Sequence, residues 1–228
     1  MSLKNIAKKF PTSKNDHQFI DYYDLYFKNL KDKEINLLEI GVERGDSLRM
    51  WREYFTKANI CAIDLIDRNI SVNNTDIMIG DQSDYNFLQQ VVNKYNMFDI
   101  IIDDGSHQCK HIIKSFNFLF NYLNDDGIYV VEDLQTSYQP RYGGSRFNLY
   151  KKNSSMNFLK RLTDSINYEH KDRPFYKKTQ FDGLIKSIFF HQNIAFVTKG
   201  ESKKLFFNQI KKNTFSDKIK KVISFFYN

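Results

Sequence analysis

The sequence has two cysteines, three prolines, one tryptophan and no long apolar run. No stretch approaches the roughly 20 apolar residues that cross a bilayer, so stable membrane insertion is not expected. The opening "MSLKNIAKKF" lacks the apolar core of a secretory leader. Cys61 and Cys109 are too few for a disulfide framework, which points to a reducing, cytoplasmic setting. No Pro-, Gly- or Ser-rich linker divides the 228 residues. A single domain is therefore expected, with an N-terminal helical cover (1–34), a core (35–198) and a basic helical tail (199–228).

Arginine is also scarce. The net charge of +7 comes mostly from lysines spread along the chain, whereas readers of phosphates and base edges favour arginine. A nucleic-acid partner is not expected. The densest basic segment, "KGESKKLFFNQIKKNTFSDKIKKVISFFYN", reads as a solvated helical face over packed Leu, Ile, Val and Phe. A surface for a peripheral membrane contact or an anionic partner is its rival.

Four short apolar runs are present: 35–42, 58–65, 97–104 and 126–133. They read as strands buried on both faces, and "DSLRMWREYF", "DYNFLQQVVNKY" and "KHIIKSFNFLFNYL" between them have helical periodicity. Alternation of this kind predicts an α/β fold with a doubly wound, mostly parallel, Rossmann-like sheet. "SKNDHQFIDYYDLYFKNL" predicts a leading helix and "NSSMNFLKRLTDSI" a later one. "IKSIFFHQNIAFVTKG" predicts two strands around a His-Gln-Asn turn, adding an antiparallel edge.

Ligands of such sheets bind beyond the carboxyl ends of the strands. Each run ends in acids there: Glu39, Asp64, Asp103 with Asp104, and Glu132 with Asp133. Like charges gathered on one rim repel, so something cationic or rich in donors belongs there.

The first run enters "LLEIGVERGDSL". Gly41 and Gly45 have the spacing used for S-adenosylmethionine rather than for dinucleotides. Glu39 suits the cofactor's ammonium, directly or through water, and Ser47 lies at the helix start. Asp64 suits the ribose diol, because one carboxylate accepts from both hydroxyls. In "IGDQSD", Asp81 and Gln82 suit the adenine amino group, while Asp46 and Asp84 read as helix N-caps.

Asp104, Glu132 and Asp133 are hard oxygen donors suited to Mg2+ and costly to gather without it. His107 and His111 are four apart but lack further soft ligands, so zinc is not expected. His107, three residues after Asp104, suits a general base for an acceptor hydroxyl, with helix capping as its bland alternative. Asp103 is expected to orient the cofactor side or the turn. Cys109 and His111 read as helix packing, and His17, His170 and His191 stand apart from other chemistry in the sequence.

"LLEIGVERGDSLRMWREYF", "GDQSD", "FDIIIDDGSH" and "VEDLQTSY...YGGS" together resemble the metal-dependent sugar O-methyltransferases, over residues 12–145 and the strand pair near 185–198. The resemblance implies a class I methyltransferase fold, S-adenosyl-L-methionine and Mg2+ as cofactors, Asp104, Glu132 and Asp133 as metal ligands, and His107 as base. "PTSKNDHQFIDYYDLYF" is similar to the family's cofactor-covering element, which implies that Lys14 and His17 help to close the site. Ser13 stands there for the usual Asp, and Phe19 for the usual Tyr.

Tyr138-Gln139 replaces the family's Tyr-Trp in the loop expected to meet the acceptor. The long N-terminal extension of the macrolide enzymes has no counterpart here. Both departures favour a smaller acceptor, such as a nucleotide-activated heptose or hexose for capsule or lipopolysaccharide. Tyr138 and Arg141 would meet it, and Arg141, Arg146 and the lysines near 151 and 177 suit a diphosphate. Rival readings are methylation of an amine or phosphoramidate, a non-catalytic cofactor-binding scaffold, and a nucleic-acid methyltransferase. Self-association is left open.

Overall fold

Four apolar segments align in parallel because their side chains can be buried on both faces, a fifth, half-buried one pairs at the edge, and two later ones fold back on the sheet. The structure, a computed structural model, describes residues 1–170 and 177–201. The parallel strands are β1 (Asn36–Ile40), β2 (Asn59–Asp64), β3 (Thr75–Ile79), β4 (Phe98–Asp103) and β5 (Leu123–Val131). The antiparallel hairpin comprises β6 (Ile185–His191) and β7 (Ile194–Lys199). The sheet order is β3-β2-β1-β4-β5-β7-β6. Connections leave β1 toward one edge and β4 toward the other, so the crevice between these two strands is the topological switch point.

Central burial is complete: Leu37, Leu38, Ile100, Ile101 and Ile102 have no exposed surface. One face packs against α1 (Leu3–Ala7), α3 (Phe19–Phe27) and α4 (Asp46–Tyr54), with Trp51 and Phe27 at its centre. The other packs against α5 (Tyr85–Tyr95), α6 (Cys109–Leu119) and α7 (Ser155–Ile166) through Phe116, Phe120 and Leu159. Asp84 caps α5, its carboxylate accepting from the Asn86 N–H. Asp46 does not cap α4: Gly45 holds that position, and Asp46 pairs with Arg44 and Arg49.

The leading helix is broken. Gln18 adopts φ +59, which separates α2 (Ser13–Asp16) from α3 and lets Lys14 enter the molecule. β3 went unrecognised as a strand in the sequence, since "TDIMI" is only half-buried. β5 begins at Leu123 and stops at Val131, so Glu132 and Asp133 lie in the loop beyond it. The basic tail from residue 202 lies outside the described residues. Among the described residues, no helix is long and apolar enough to cross a membrane.

Candidate active site

The loops after β1, β2, β3, β4 and β5 surround one cavity of about 440 Å3, inside the ~300–1,000 Å3 range of small-molecule sites. Pro11 to Lys14 and His17 close it from the N-terminal side. Its wall brings together Lys14, His17, Gly41, Ser47, Asp64, Asp81, Gln82, Asp104, His107 and Asp133. Glu39, Gly45, Asp103, Glu132, Tyr138 and Arg141 are not on that wall.

At the first loop, Gly41 has φ +99, and a Cβ there would lie 2.3 Å from the Asp104 carbonyl oxygen. Only glycine permits this approach of the β1 and β4 ends. Asp64 ties the next two loops: Oδ2 accepts from Val42 N–H at 2.8 Å and Glu43 N–H at 3.3 Å, and Oδ1 from Ile66 N–H at 2.9 Å. Each carboxylate oxygen has about two lone pairs, so capacity for a ligand hydroxyl remains.

Asp81 accepts from the Ser83 N–H at 2.7 Å, which holds its carboxyl below the usual range. Gln82 serves the protein itself. Its Nε2 donates to Asp103 Oδ1 at 3.0 Å and its Oε1 accepts from Ser106 N–H at 2.8 Å. Both ends of the amide thus brace the Asp104–His107 turn, while Gln82 also lies on the cavity wall and its Oε1 has a second lone pair. Asp103 is buried, accepts from Ser115 Oγ at 2.6 Å, and works on the turn rather than on the cavity. Burial raises its pKa against the opposing Ser115 and Gln82 hydrogen bonds.

The buried acids surround a lysine. Lys14 Nζ lies 2.7 Å from Asp104 Oδ2, 2.7 Å from Glu132 Oε1 and 3.3 Å from Glu39 Oε1. Burial alone would depress the Lys14 pKa, but Asp104, Glu132 and Glu39 together drive it well above its ordinary value. Tyr23 also donates to Glu132. Burial, then repulsion from Asp104, pushes the Glu132 carboxyl up to about 8 despite Lys14. Glu39 is wholly buried, accepts from Ser47 Oγ at 3.0 Å and Trp51 Nε1 at 3.3 Å, and has its pKa raised by burial. Glu39 therefore faces Lys14, Ser47 and Trp51 and not the cavity.

Next to this corner stands a second group. Ligand atoms of Asp104, His107 and Asp133 all lie within 4.8 Å of one another. His107 and Asp133 adopt φ +55 and +53, strained for side chains of this size. Asp133 lies between two imidazoles, with Oδ2 3.5 Å from His107 Nε2 and Oδ1 3.5 Å from His17 Nδ1. His107 Nδ1 is buried without a hydrogen-bond partner, so Nε2 is the nitrogen on the side of Asp133. Two carboxylates and an imidazole can hold a divalent cation. The expected three-acid set is thus arranged differently: Asp104 and Asp133 face His107, while Glu132 faces Lys14 and Tyr23.

Tyr138 is exposed, and Arg141 lies over the Tyr142 ring at 4.7 Å. Tyr142, unremarked in the sequence, stands edge-on to His107 with ring centroids 6.4 Å apart. His111, read as packing, instead lines the cavity, its Nδ1 3.0 Å from Ser106 Oγ. Helical spacing from His107 was the available signal for it. No local signal marks Tyr23, which lies 109 positions from Glu132.

No family model matches the chain. It is 34% identical over 195 residues to the mycinamicin VI 2''-O-methyltransferase of Micromonospora griseorubida, covering 82% of this chain and 49% of that protein. It is 35% identical over 192 residues to the 8-demethyl-8-alpha-L-rhamnosyl tetracenomycin-C 2'-O-methyltransferase of Streptomyces olivaceus, covering 80% and 50%. The solved structure of the mycinamycin-pathway methyltransferase MycE, in complex with Mg, SAH and mycinamycin VI, superposes with a TM-score of 0.86 at 30% identity. That match covers 97% of this chain and 59% of MycE. The chain spans about half the length of the curated relatives it matches. The shared architecture is the α/β fold of class I methyltransferases, with its antiparallel edge.

Proposed function

Because the chain belongs to the family of the sugar O-methyltransferases it matches, we propose that it is an S-adenosylmethionine-dependent, Mg2+-assisted O-methyltransferase acting on a sugar hydroxyl. The observation that carries this reading is the continuity of one cavity. A single wall runs from Gly41, Asp64 and Asp81 to Asp104, His107 and Asp133, so a donor and an acceptor bound there are neighbours.

S-Adenosylmethionine, when bound, supplies the methyl group. The Gly41 turn admits its close approach, Asp64 accepts from the ribose hydroxyls, and Asp81 accepts from the adenine amine. A divalent cation, when bound between Asp104 and Asp133, supplies Lewis-acid polarisation of the acceptor hydroxyl. His107 Nε2 accepts the hydroxyl proton, and Asp133 stabilises the resulting imidazolium. Alignment of the acceptor oxygen with the methyl carries the rest of the rate gain.

A second reading of His107 has its own support. Its grouping with Asp104 and Asp133 suits a third ligand, in the position the sequence suggested for Glu132.

For the acceptor we propose a nucleotide-activated heptose or hexose of capsule or lipopolysaccharide assembly, handled in the cytoplasm. The support is Gln139 where the family has Trp, together with Arg141 beside the site. The relatives' names specify antibiotic glycosides, so glycosides form the competing arm of the test. Methyl-labelled S-adenosylmethionine is offered with nucleotide sugars and, separately, with deoxysugar glycosides. Labelled nucleotide sugar supports the acceptor reading. Label only on glycosides overturns it and leaves the reaction class standing, whereas label on amines overturns both.

A further inference from the structure

The acidic rim requires a cation, and part of that cation is built into the chain. Lys14 is 1% exposed, and its ammonium sits between Asp104, Glu132 and Glu39. It comes from a four-residue helix that enters the molecule only because Gln18 turns through φ +59. Thr12 helps to fix this helix, its Oγ1 accepting from the Lys14 N–H at 3.4 Å. Asp104 touches both partners: its Oδ2 accepts from Lys14, and it belongs to the group with His107 and Asp133.

We propose that Lys14 is a positioning residue that holds the carboxylate rim assembled in the metal-free protein and is the resident cation against which a divalent ion competes. This inference rests on the reading that Asp104 and Asp133 hold such an ion. An ammonium sharing Asp104 repels an incoming dication and withholds one of the carboxylate's oxygens. It also keeps Glu132 turned toward Tyr23. Metal entry therefore weakens the Lys14 contacts and loosens residues 12–17, which close the cavity. Lys14 is then the determinant of how tightly the site holds its metal, a role distinct from covering the cofactor.

Two measurements test this without any acceptor. The first is calorimetric titration of Mg2+ into the 228-residue chain and into Lys14→Met, each without cofactor. The second is hydrogen exchange of amides 12–17 in the unaltered chain, with and without saturating Mg2+. The inference predicts Mg2+ binding at least about tenfold tighter in Lys14→Met, and faster exchange at 12–17 when Mg2+ is present. A lysine that only props the fold gives unchanged or weaker binding in the variant, and that result overturns the inference while leaving the metal site intact. If neither protein binds Mg2+, the metal reading falls and the inference with it. If Lys14→Met does not fold, the exchange experiment decides alone: amides 12–17 that do not respond to Mg2+ overturn the proposal.

Discussion

Lys14 Nζ and Glu132 Oε1 lie 2.7 Å apart, and neither side chain is more than 1% exposed. Even so, burial and the nearby Asp104 carboxylate outweigh the lysine and hold the Glu132 carboxyl up at about 8, against an ordinary 4.5. Between those values the folded chain keeps a proton on Glu132 that the unfolded chain has released. Native stability therefore falls as the pH rises from 4.5 through about 8. Thermal melts of the metal-free protein across that window are expected to show the decline, and Glu132→Gln to flatten it. A slope unchanged by Glu132→Gln would assign the dependence elsewhere.

Gln82 offers a cleaner separation of structure from binding. Its amide joins Asp103 to the Ser106 N–H inside the protein. Gln82→Leu strands both groups, at a cost of roughly 1–3 kcal/mol, and is expected to lower the urea midpoint accordingly. If the side chain also serves adenine, the variant additionally loses affinity for S-adenosylhomocysteine; unchanged affinity confines Gln82 to the structural role.

His107 distinguishes the two readings of its own role. As general base, its replacement in His107→Ala is expected to lower turnover by about 100-fold or more while Mg2+ affinity holds. As third ligand, the same change weakens Mg2+ binding in a titration that contains no acceptor. The two outcomes fall on different axes.

Much of the fold could be read from residues alone, because parallel strands buried on both faces appear as unbroken apolar runs: Ile100, Ile101 and Ile102 announce β4 directly. β3 escaped because Thr75 and Asp76 interrupt its run and its flanks are half-exposed. The break at Gln18 escaped because glutamine carries no turn signal, and the left-handed backbone there is set by what Lys14 and Phe19 bury. In the site, the strand ends that carry the acids surround the cavity, with Asp64, Asp104 and Asp133 on its wall and Glu39, Asp103 and Glu132 behind it. Partners did not follow from position. Lys14 meets Asp104 and Glu132 across 90 and 118 residues, and Gln82, on the cavity wall, also donates to the buried Asp103. Sequence order gives the loop on which a carboxylate sits, whereas packing decides which side of that loop it faces.

In the proposed reaction an O-methyl group is placed on a sugar through a metal-assisted site at Asp104, His107 and Asp133. Its most direct test is transfer from methyl-labelled S-adenosylmethionine to an identified sugar acceptor in EDTA, then after Mg2+ is restored, with the product's methylated atom assigned by NMR. The expected result is a methyl ether on a ring hydroxyl, formed with Mg2+ and absent in chelator. Transfer that proceeds undiminished in EDTA, or a methyl group on nitrogen, would contradict the account.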